Sequence, residues 1–299
     1  MISNYRPISL LSIVSKLCER CILDKLTPNL LEFLSPKQHG FVPKKSCVTQ
    51  LLTVLHNLGK TLDAGQESDV LYLDFSKAFD SVPHNLLLHK LSLYGIDGPL
   101  YSWFSDYLHS RYQRVLIEGS FSDWVHVSSG VPQGSLMGPF LFIIFINDLP
   151  QSVCDESAIA LFADDTKCYR SVDDSSDCTN FQHDINKLYD WSLRWGLAYN
   201  LDKCVVSRIT RKRNSSIPSL AISPYEAGGH PLVVVSSQKD LGVIVTDKLT
   251  WSTHIECVVA QANRMLGFLH RNCTDIGTNG KRTLYLSFVR SHLGYASDR

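Results

Sequence analysis

Two adjacent carboxylates, Asp164 and Asp165, stand in AIALFADDTKCYR (158–170), directly after one apolar stretch and before another. The pattern reads as a hairpin with the acidic pair at its turn. Each negative charge raises the cost of ionising the other, so a shared cation is one reason to keep them together. A surface turn is the plain alternative, because Asp is common there. A cation site needs further carboxylates, and Asp74 in LYLDFSKAFDSVPH (71–84) supplies one, at the end of a short apolar run 90 residues upstream. If the strand ending at Asp74 lies beside the AIALFADD strand, Asp74, Asp164 and Asp165 converge on one sheet end. Three such groups repel unless cations bridge them. That is the arrangement of two-metal phosphoryl transfer, in which ions roughly 3.5–4 Å apart stabilise the attacking and departing oxygens. Mg²⁺ suits it, since it prefers oxygen ligands and keeps positions open for water and phosphate; Mn²⁺ is the expected substitute.

These residues need a scaffold, and the patterning around them mixes strands and helices without regular βαβ alternation, which favours an α+β fold. SDVLYLDF reads as a buried strand, and ISLLSIVSKLCERCILDKL and CVTQLLTVLHNLGKTLDAG carry helical spacing. SVPHNLLLHKLSLYG reads as a helix opened by Ser81, with Pro83 in its first turn, and closed by Gly95. RVLIEGSFSDWVHVSSG alternates like a strand pair, and GVPQGSLMGPFLFIIFINDL is a Gly-rich loop feeding an apolar helix. In SSDCTNFQHDINKLYDWSLRWG, Phe181, Ile185, Leu188 and Trp195 share a helical face that Gly196 terminates. Short strands follow through DLGVIVTDKLTW, then two amphipathic helices; RKRNSSIPS (211–219) is the clearest loop.

The 299 residues, 44% of them apolar, suffice for one large domain or two to three coupled subdomains. The longest apolar run, Phe140 to Ile146, is far below the roughly 18 residues of a membrane span, and no signal peptide is evident, so an intracellular protein without a membrane partner is expected. Nucleus and cytoplasm are not distinguished, RKR at 211–213 being too short for an import signal. Nine cysteines, odd in number and scattered, argue against a disulfide framework; Cys18 and Cys21 form one C-x-x-C without a second pair. Net charge is zero, yet residues 1–60 carry +5, residues 61–200 carry −11 and residues 201–299 carry +6. Basic ends around an acidic centre suit a protein that grips a polyanion with its outer parts and gathers carboxylates in the middle.

NYRPISLL (4–11), QHGFVPKKSC (38–47), LYLDFSKAFDSVPH, GVPQGSLMGPFLFIIFINDL (130–149), LFADDTK (161–167), NLDKC (200–204) and KDLGVIVTDKLTW (239–251) occur in that order. Together they resemble the reverse transcriptase domain of non-LTR (LINE-type) retrotransposons. The resemblance implies a right-hand polymerase with fingers at 1–66 (85–130 adding to fingers and palm), a palm mainly at 67–250, and a helical, truncated thumb at 251–299. It implies that Asp74 and Asp164 bind two Mg²⁺ ions with Asp165 alongside, and that Lys203 stands near the departing pyrophosphate. Phe79 matches the bulky aromatic beneath the incoming sugar, where a ring would collide with a 2′-hydroxyl. Phe75, Gln133 and Gly134 match nucleotide-binding positions, as do Lys44 and Lys45, which stand where relatives usually show Gly and Arg, while Val42 takes a place often held by another Arg. Lys holds a triphosphate as a point charge but without bidentate geometry. Arg264, Arg271, Lys281, Arg282 and Arg290 are the nucleic-acid contacts expected of the thumb. SLMG replaces the commoner SVLG, and Gly294 stands where relatives often show Glu.

The implied partners are an RNA template, a DNA primer and dNTPs. Two other readings stay open at this point. An RNA-dependent RNA polymerase shares the palm logic but is disfavoured by Phe79 and FADD. A truncated, catalytically inactive element remnant with residual nucleic-acid binding is suggested by a chain that starts within the fingers block and carries nothing like the family's endonuclease.

Overall fold

The computed structural model describes residues 8–212, 217, 220 and 224–296; most of the RKRNSSIPS loop and the first residues of the NYRPISLL block lie outside these. The sheet centres on β1 (Glu67–Leu73), every residue of which is buried. Alternate side chains of a strand point to opposite faces, and here both faces are covered. Leu71 and Leu73 join the larger core, while Val70 and Tyr72 join a smaller one. β1 pairs antiparallel with β3 (Asp165–Val172) on one side and β4 (Val205–Ile209) on the other. β2 (Ser157–Phe162) closes the β3 side, and the two-residue β5 (Val233–Val234) runs parallel to β4, giving the order β5-β4-β1-β3-β2. β6 (Ser237–Asp240) and β7 (Val243–Thr246) form a separate hairpin.

Helix α1 spans Ile13–Leu31 and α2 spans Cys47–Asp63. Val54, Leu58 and Leu62 of α2 seal the smaller core. The other face carries α3 (His84–Leu93), α5 (Met137–Phe145) and α6 (Ser175–Trp195), with α4 (Gly98–His109) packed on α3. The longest apolar run is thus α5, a core helix buried along its length; among the described residues no helix is long and apolar enough to cross a membrane. The chain continues in α7 (Ser252–Asn272), followed by α8 (Thr278–Leu284) and a π turn at Tyr285–Val289. Only Ala262 and Val289 are buried in this last segment.

Local chemistry moves some boundaries from the sequence reading. α1 starts at Ile13 rather than Ile8, because Ser12 Oγ accepts the Ser15 amide as an N-cap, and it runs on past Pro28. Ser81 does not open α3. It closes a short helical turn, Ala78–Ser81, its hydroxyl donating to the Ser76 and Lys77 carbonyls, and α3 begins only after Pro83. The RVLIEGSFSDWVHV arm is two exposed pairs of two-residue strands, Tyr112–Gln113 with Val125–His126 and Leu116–Ile117 with Ser120–Phe121. Gly196 ends α6 at φ 65°, a left-handed cap suited to glycine, and Trp191 joins Phe181, Ile185 and Leu188 in the core while Trp195 is half-buried.

One charged group sits at the heart of the sheet. Asp69 is fully buried on β1, where Nε and Nη2 of Arg208 on β4 donate to it at 2.7 Å each and Tyr225 Oη donates at 2.6 Å. Removing one member of a buried, hydrogen-bonded pair strands the other. Arg208→Met is therefore expected to lower stability by about 3–5 kcal/mol, and pairing it with Asp69→Asn should recover part of that loss in urea unfolding curves.

Candidate active site

β2 and β3 are joined by Ala163 and Asp164, a two-residue hairpin turn. Ala163 has φ 54°, the left-handed value at the first turn position that hairpin geometry requires and that glycine fills most easily. Holding alanine there costs about 1–2 kcal/mol, and a clasp from elsewhere in the chain holds it. Residues 37–40 run beside β2: His39 N donates to Leu161 O (2.8 Å) and Leu161 N to Lys37 O (3.0 Å). Between them, Gln38 Oε1 accepts the Ala163 amide at 3.0 Å and the Gly40 amide at 2.7 Å, with Gln38 only 1% exposed. Gly40 fits because a Cβ there would lie 2.4 Å from Ala163 N. The QHGF block thus fixes the turn that carries the acidic pair.

Asp74 follows β1, whose last pair is Leu73 with Thr166. One further step in register sets Asp74 against Asp165. The neighbour of the Asp74 strand is therefore β3, the second arm of the hairpin, rather than the AIALFA arm expected from the sequence. Asp164 lines, with Asp74, a cleft of about 990 Å³; Asp74 and Asp165 share a smaller adjoining one of about 320 Å³. Although Asp165 reaches solvent, its carboxyl is pushed up to about 6, first by desolvation against the sheet end and then by the charge of Asp164, with Asp240 and Asp74 adding and Lys167 opposing. Asp74 itself is pinned: its carbonyl accepts from Asn200 N (2.8 Å), its amide faces Cys204 Sγ at 3.5 Å, and the Lys203 ammonium stands 3.5 Å from its carboxylate.

A set of hard carboxylate oxygens is the donor chemistry a divalent ion such as Mg²⁺ takes. The set is open: among the described residues no three acidic, His or Cys side chains are close enough as they stand to enclose one ion, and Asp74 has Lys203 as its neighbour instead.

The cleft's other wall is the Gly-rich loop. Val131 N donates to Phe79 O and Gly130 N to Val82 O, so the loop is bonded to the segment that follows Asp74. Gly130 has φ 88°, and a Cβ there would strike the Asp80 backbone. Gln133 Nε2 donates to Asp80 Oδ1 at 3.0 Å, and Gly134 lies against the Ser9 carbonyl. α5 begins where this loop ends, its first amides held by a buried carboxylate from α1: Glu19 Oε2 accepts Leu136 N at 2.8 Å and Met137 N at 3.4 Å, while Glu19 Oε1 accepts from Tyr107 Oη. Phe79 borders the cleft, its ring stacked on Phe142 (4.4 Å, 19°) and meeting Phe41 edge-on.

Asp74, Asp164, Phe79, Gln133, Gly134 and Lys203 thus share the cleft. Phe75 also borders it but is 4% exposed, stacked on Tyr199 at 4.6 Å, so its ring belongs chiefly to the core. Lys45 is turned away: its ammonium donates to the Pro36 and Gln38 carbonyls at 2.7 and 2.9 Å, bracing the loop that holds the turn. Lys44 is exposed, and neither lysine lines the cleft. Arg264, Arg271, Lys281, Arg282 and Arg290 are all exposed on the terminal helices.

Sequence reasoning missed Gln38, Glu19 and the pair Lys167–Asp240. Lys167 is 1% exposed on β3, two residues beyond Asp165, and its ammonium reaches Asp240 of the β6–β7 hairpin at 2.5 Å and Gln50 Oε1 at 3.1 Å. Burial lowers the lysine's pKa and raises the aspartate's, and each partner opposes the other's shift. LFADDTK and KDLGVIVTDKLTW held both partners, but nothing local to either block shows that they touch.

The fold matches solved polymerases. A telomerase from Candida tropicalis superposes with a TM-score of 0.54 at 11% identity, over 80% of this chain and 40% of that one. Sheet and helices are those of the right-hand polymerase fold. The chain belongs to the reverse transcriptase (RNA-dependent DNA polymerase) family, whose profile matches residues 2–256. Two Drosophila melanogaster relatives are similar along nearly its whole length: the probable RNA-directed DNA polymerase from transposon BS, 30% identical over 96% of this chain and 32% of that protein, and the one from transposon X-element, 31% identical over 98% and 32%. The chain spans about a third of the length of these curated relatives.

Gln38→Leu keeps the bulk of the clasp but leaves the Ala163 and Gly40 amides without their buried acceptor. A loss of about 1–3 kcal/mol is expected, with faster hydrogen exchange at those two amides and little change at the centre of β1.

Proposed function

We propose that the chain is the RNA-directed DNA polymerase module of a non-LTR element, adding dNTPs to a primer 3′-hydroxyl on an RNA template. The observation that carries the reading is the meeting of Asp74 with the Asp164–Asp165 pair at one sheet end, beside a cleft walled by Phe79 and the Gly-rich loop. Asp74, Asp164 and Asp165 would hold two Mg²⁺ ions, which when bound supply charge neutralisation for the attacking and departing oxygens. Gln38 and the Asn200 amide fix the backbone that presents the carboxylates. Lys203, exposed and 3.5 Å from Asp74, is within reach of a leaving pyrophosphate, where an ammonium neutralises charge or donates a proton.

Phe79 supports deoxynucleotides over ribonucleotides. Its ring is backed by Phe142, itself fully buried, so it cannot withdraw to admit a 2′-hydroxyl. This favours DNA synthesis over RNA synthesis by the same fold. The wider assembly at work, an RNA template with a DNA primer, an element-encoded protein about three times as long and an intracellular site of action, belongs to the same proposal.

Asp164→Asn is expected to abolish Mg²⁺-dependent dNTP incorporation on a primed RNA template; wild-type rates from the folded variant would sink the mechanism. In the metal-free protein Asp165 ionises against its surroundings, so through this group stability falls as pH rises from the ordinary carboxylate range through about 6. Asp165→Asn should remove that penalty and raise metal-free stability by about 1 kcal/mol at pH 7, solvent screening having reduced the gain, while activity is lost. Phe79→Ala should raise rNTP use relative to dNTP use at least tenfold, read from competitive incorporation.

A further inference from the structure

The cleft does not end at the carboxylates. Its far wall is the root of the exposed arm, where Arg111, Gln113 and His126 line the same space as Asp74 and Asp164. Arg111 has one guanidinium nitrogen, Nη1, that is buried and without a hydrogen-bond partner, and among the described residues neither Arg111 nor Arg114 has an ion-pair partner. A buried guanidinium nitrogen without a hydrogen-bond partner is costly, and Arg111 lines a cleft whose proposed substrate is a polyanion. Planar guanidinium groups suit phosphate bidentately.

From this root the arm carries a run of rings and cations outward. Arg111 lies over Tyr107 at 5.3 Å, Tyr112 meets the His126 ring at 5.4 Å, and Arg114 covers both Phe121 (3.9 Å) and Trp124 (4.6 Å). Tyr112, Phe121 and Trp124 are 57–64% exposed. Rings held in place by cations form flat platforms of the kind on which unpaired bases stack, whatever their sequence. The arm's own hairpins bury none of these side chains, so its folding does not account for them.

The geometry points to a single-stranded nucleic-acid site running from Arg111 along the arm to Trp124, with Arg111 holding a backbone phosphate and the arm's rings stacking the bases of the strand that leaves the reaction centre along this wall. The inference rests on the polymerase reading for the direction of the strand, not for the chemistry of the site. A second copy of the chain is the other occupant for an exposed aromatic arm. Continuity with the cleft, and two arginines without ion-pair partners among the described residues, favour a polyanionic strand.

The test compares binding of two fluorescent probes to the full chain, a blunt RNA–DNA duplex and the same duplex with a ten-nucleotide single-stranded 5′ extension on the RNA, with a DNA extension as a third arm. Trp124→Ala is expected to weaken binding of the extended duplexes about tenfold and leave blunt-duplex binding unchanged; Arg111→Gln, at the cleft itself, should weaken the extended probes about fivefold, more than the blunt one, and make their salt dependence shallower by about one. Arg111→Lys should fall between, keeping charge without the fork. Loss on the RNA extension alone would identify the template strand as the occupant; equal loss on both extensions would identify any single strand. Unchanged binding of the extended probes, equal weakening of blunt and extended probes, or variants that alter self-association and nothing else would each overturn the site. Binding needs no turnover, so failure of dNTP incorporation with extension-selective binding intact would reject the polymerase reading while the site stands.

Discussion

Like charges held together at the end of a sheet dominate this molecule. Asp74, Asp164 and Asp165 sit where β1 and the β2–β3 turn stop, and their repulsion must be opposed from within the fold whenever no cation is present. Two lysines do so, one exposed and one buried. Lys203 approaches Asp74 from solvent, and Lys167 lies beneath Asp165 inside the protein. The buried lysine needs its own partner, and it has one in Asp240. The attachment of the β6–β7 hairpin and the electrostatics of the acidic site are therefore one network, and a change at Asp240 would be felt by Asp165 both through Lys167 and directly through its charge.

The backbone around this network is over-determined by groups from distant blocks. Gln38 comes from a loop 125 residues before Ala163, and Glu19 lies 117 residues before the helix start that it caps. A carboxylate at a helix N-terminus meets unpaired amides and the positive end of the helix dipole at once, which is how a buried glutamate is tolerated there. These clasps make the site rigid before any substrate arrives. Orienting groups in advance is the part of catalysis that a static fold can supply.

The sequence revealed much of this and stopped at definite places. The carboxylate-bearing strands, the hairpin that joins two of them, α6 with its Gly196 cap and the apolar α5 were legible because each is a local pattern: a period, a cap, a breaker. The pairing partner of β1 was not, since a hairpin offers two edges and both arms carry apolar alternation. Phe75 and Lys45 were assigned to the nucleotide from position in a motif. Their surroundings, Tyr199 for one and two loop carbonyls for the other, come from chain segments that no local pattern connects to them. The long-range polar partners were illegible for the same reason. A lone Gln or Glu in a motif looks alike whether it faces solvent or clasps a turn.

Much of what makes the site costs stability. Ala163 is held left-handed, carboxylates crowd one another, and Lys167 and Asp240 are taken out of water. The offset lies in the two cores on either face of β1, where Leu71 and Leu73 are buried against one set of helices and Val70 and Tyr72 against another. Because the strand ending in Asp74 is anchored on both faces, it cannot tilt away from Asp165 to relieve the repulsion without breaking one core or the other. Close packing transmits such strain rather than absorbing it. Relief must come from a bound cation or from protonation, and the site's charge state thereby becomes coupled to the stability of the whole sheet.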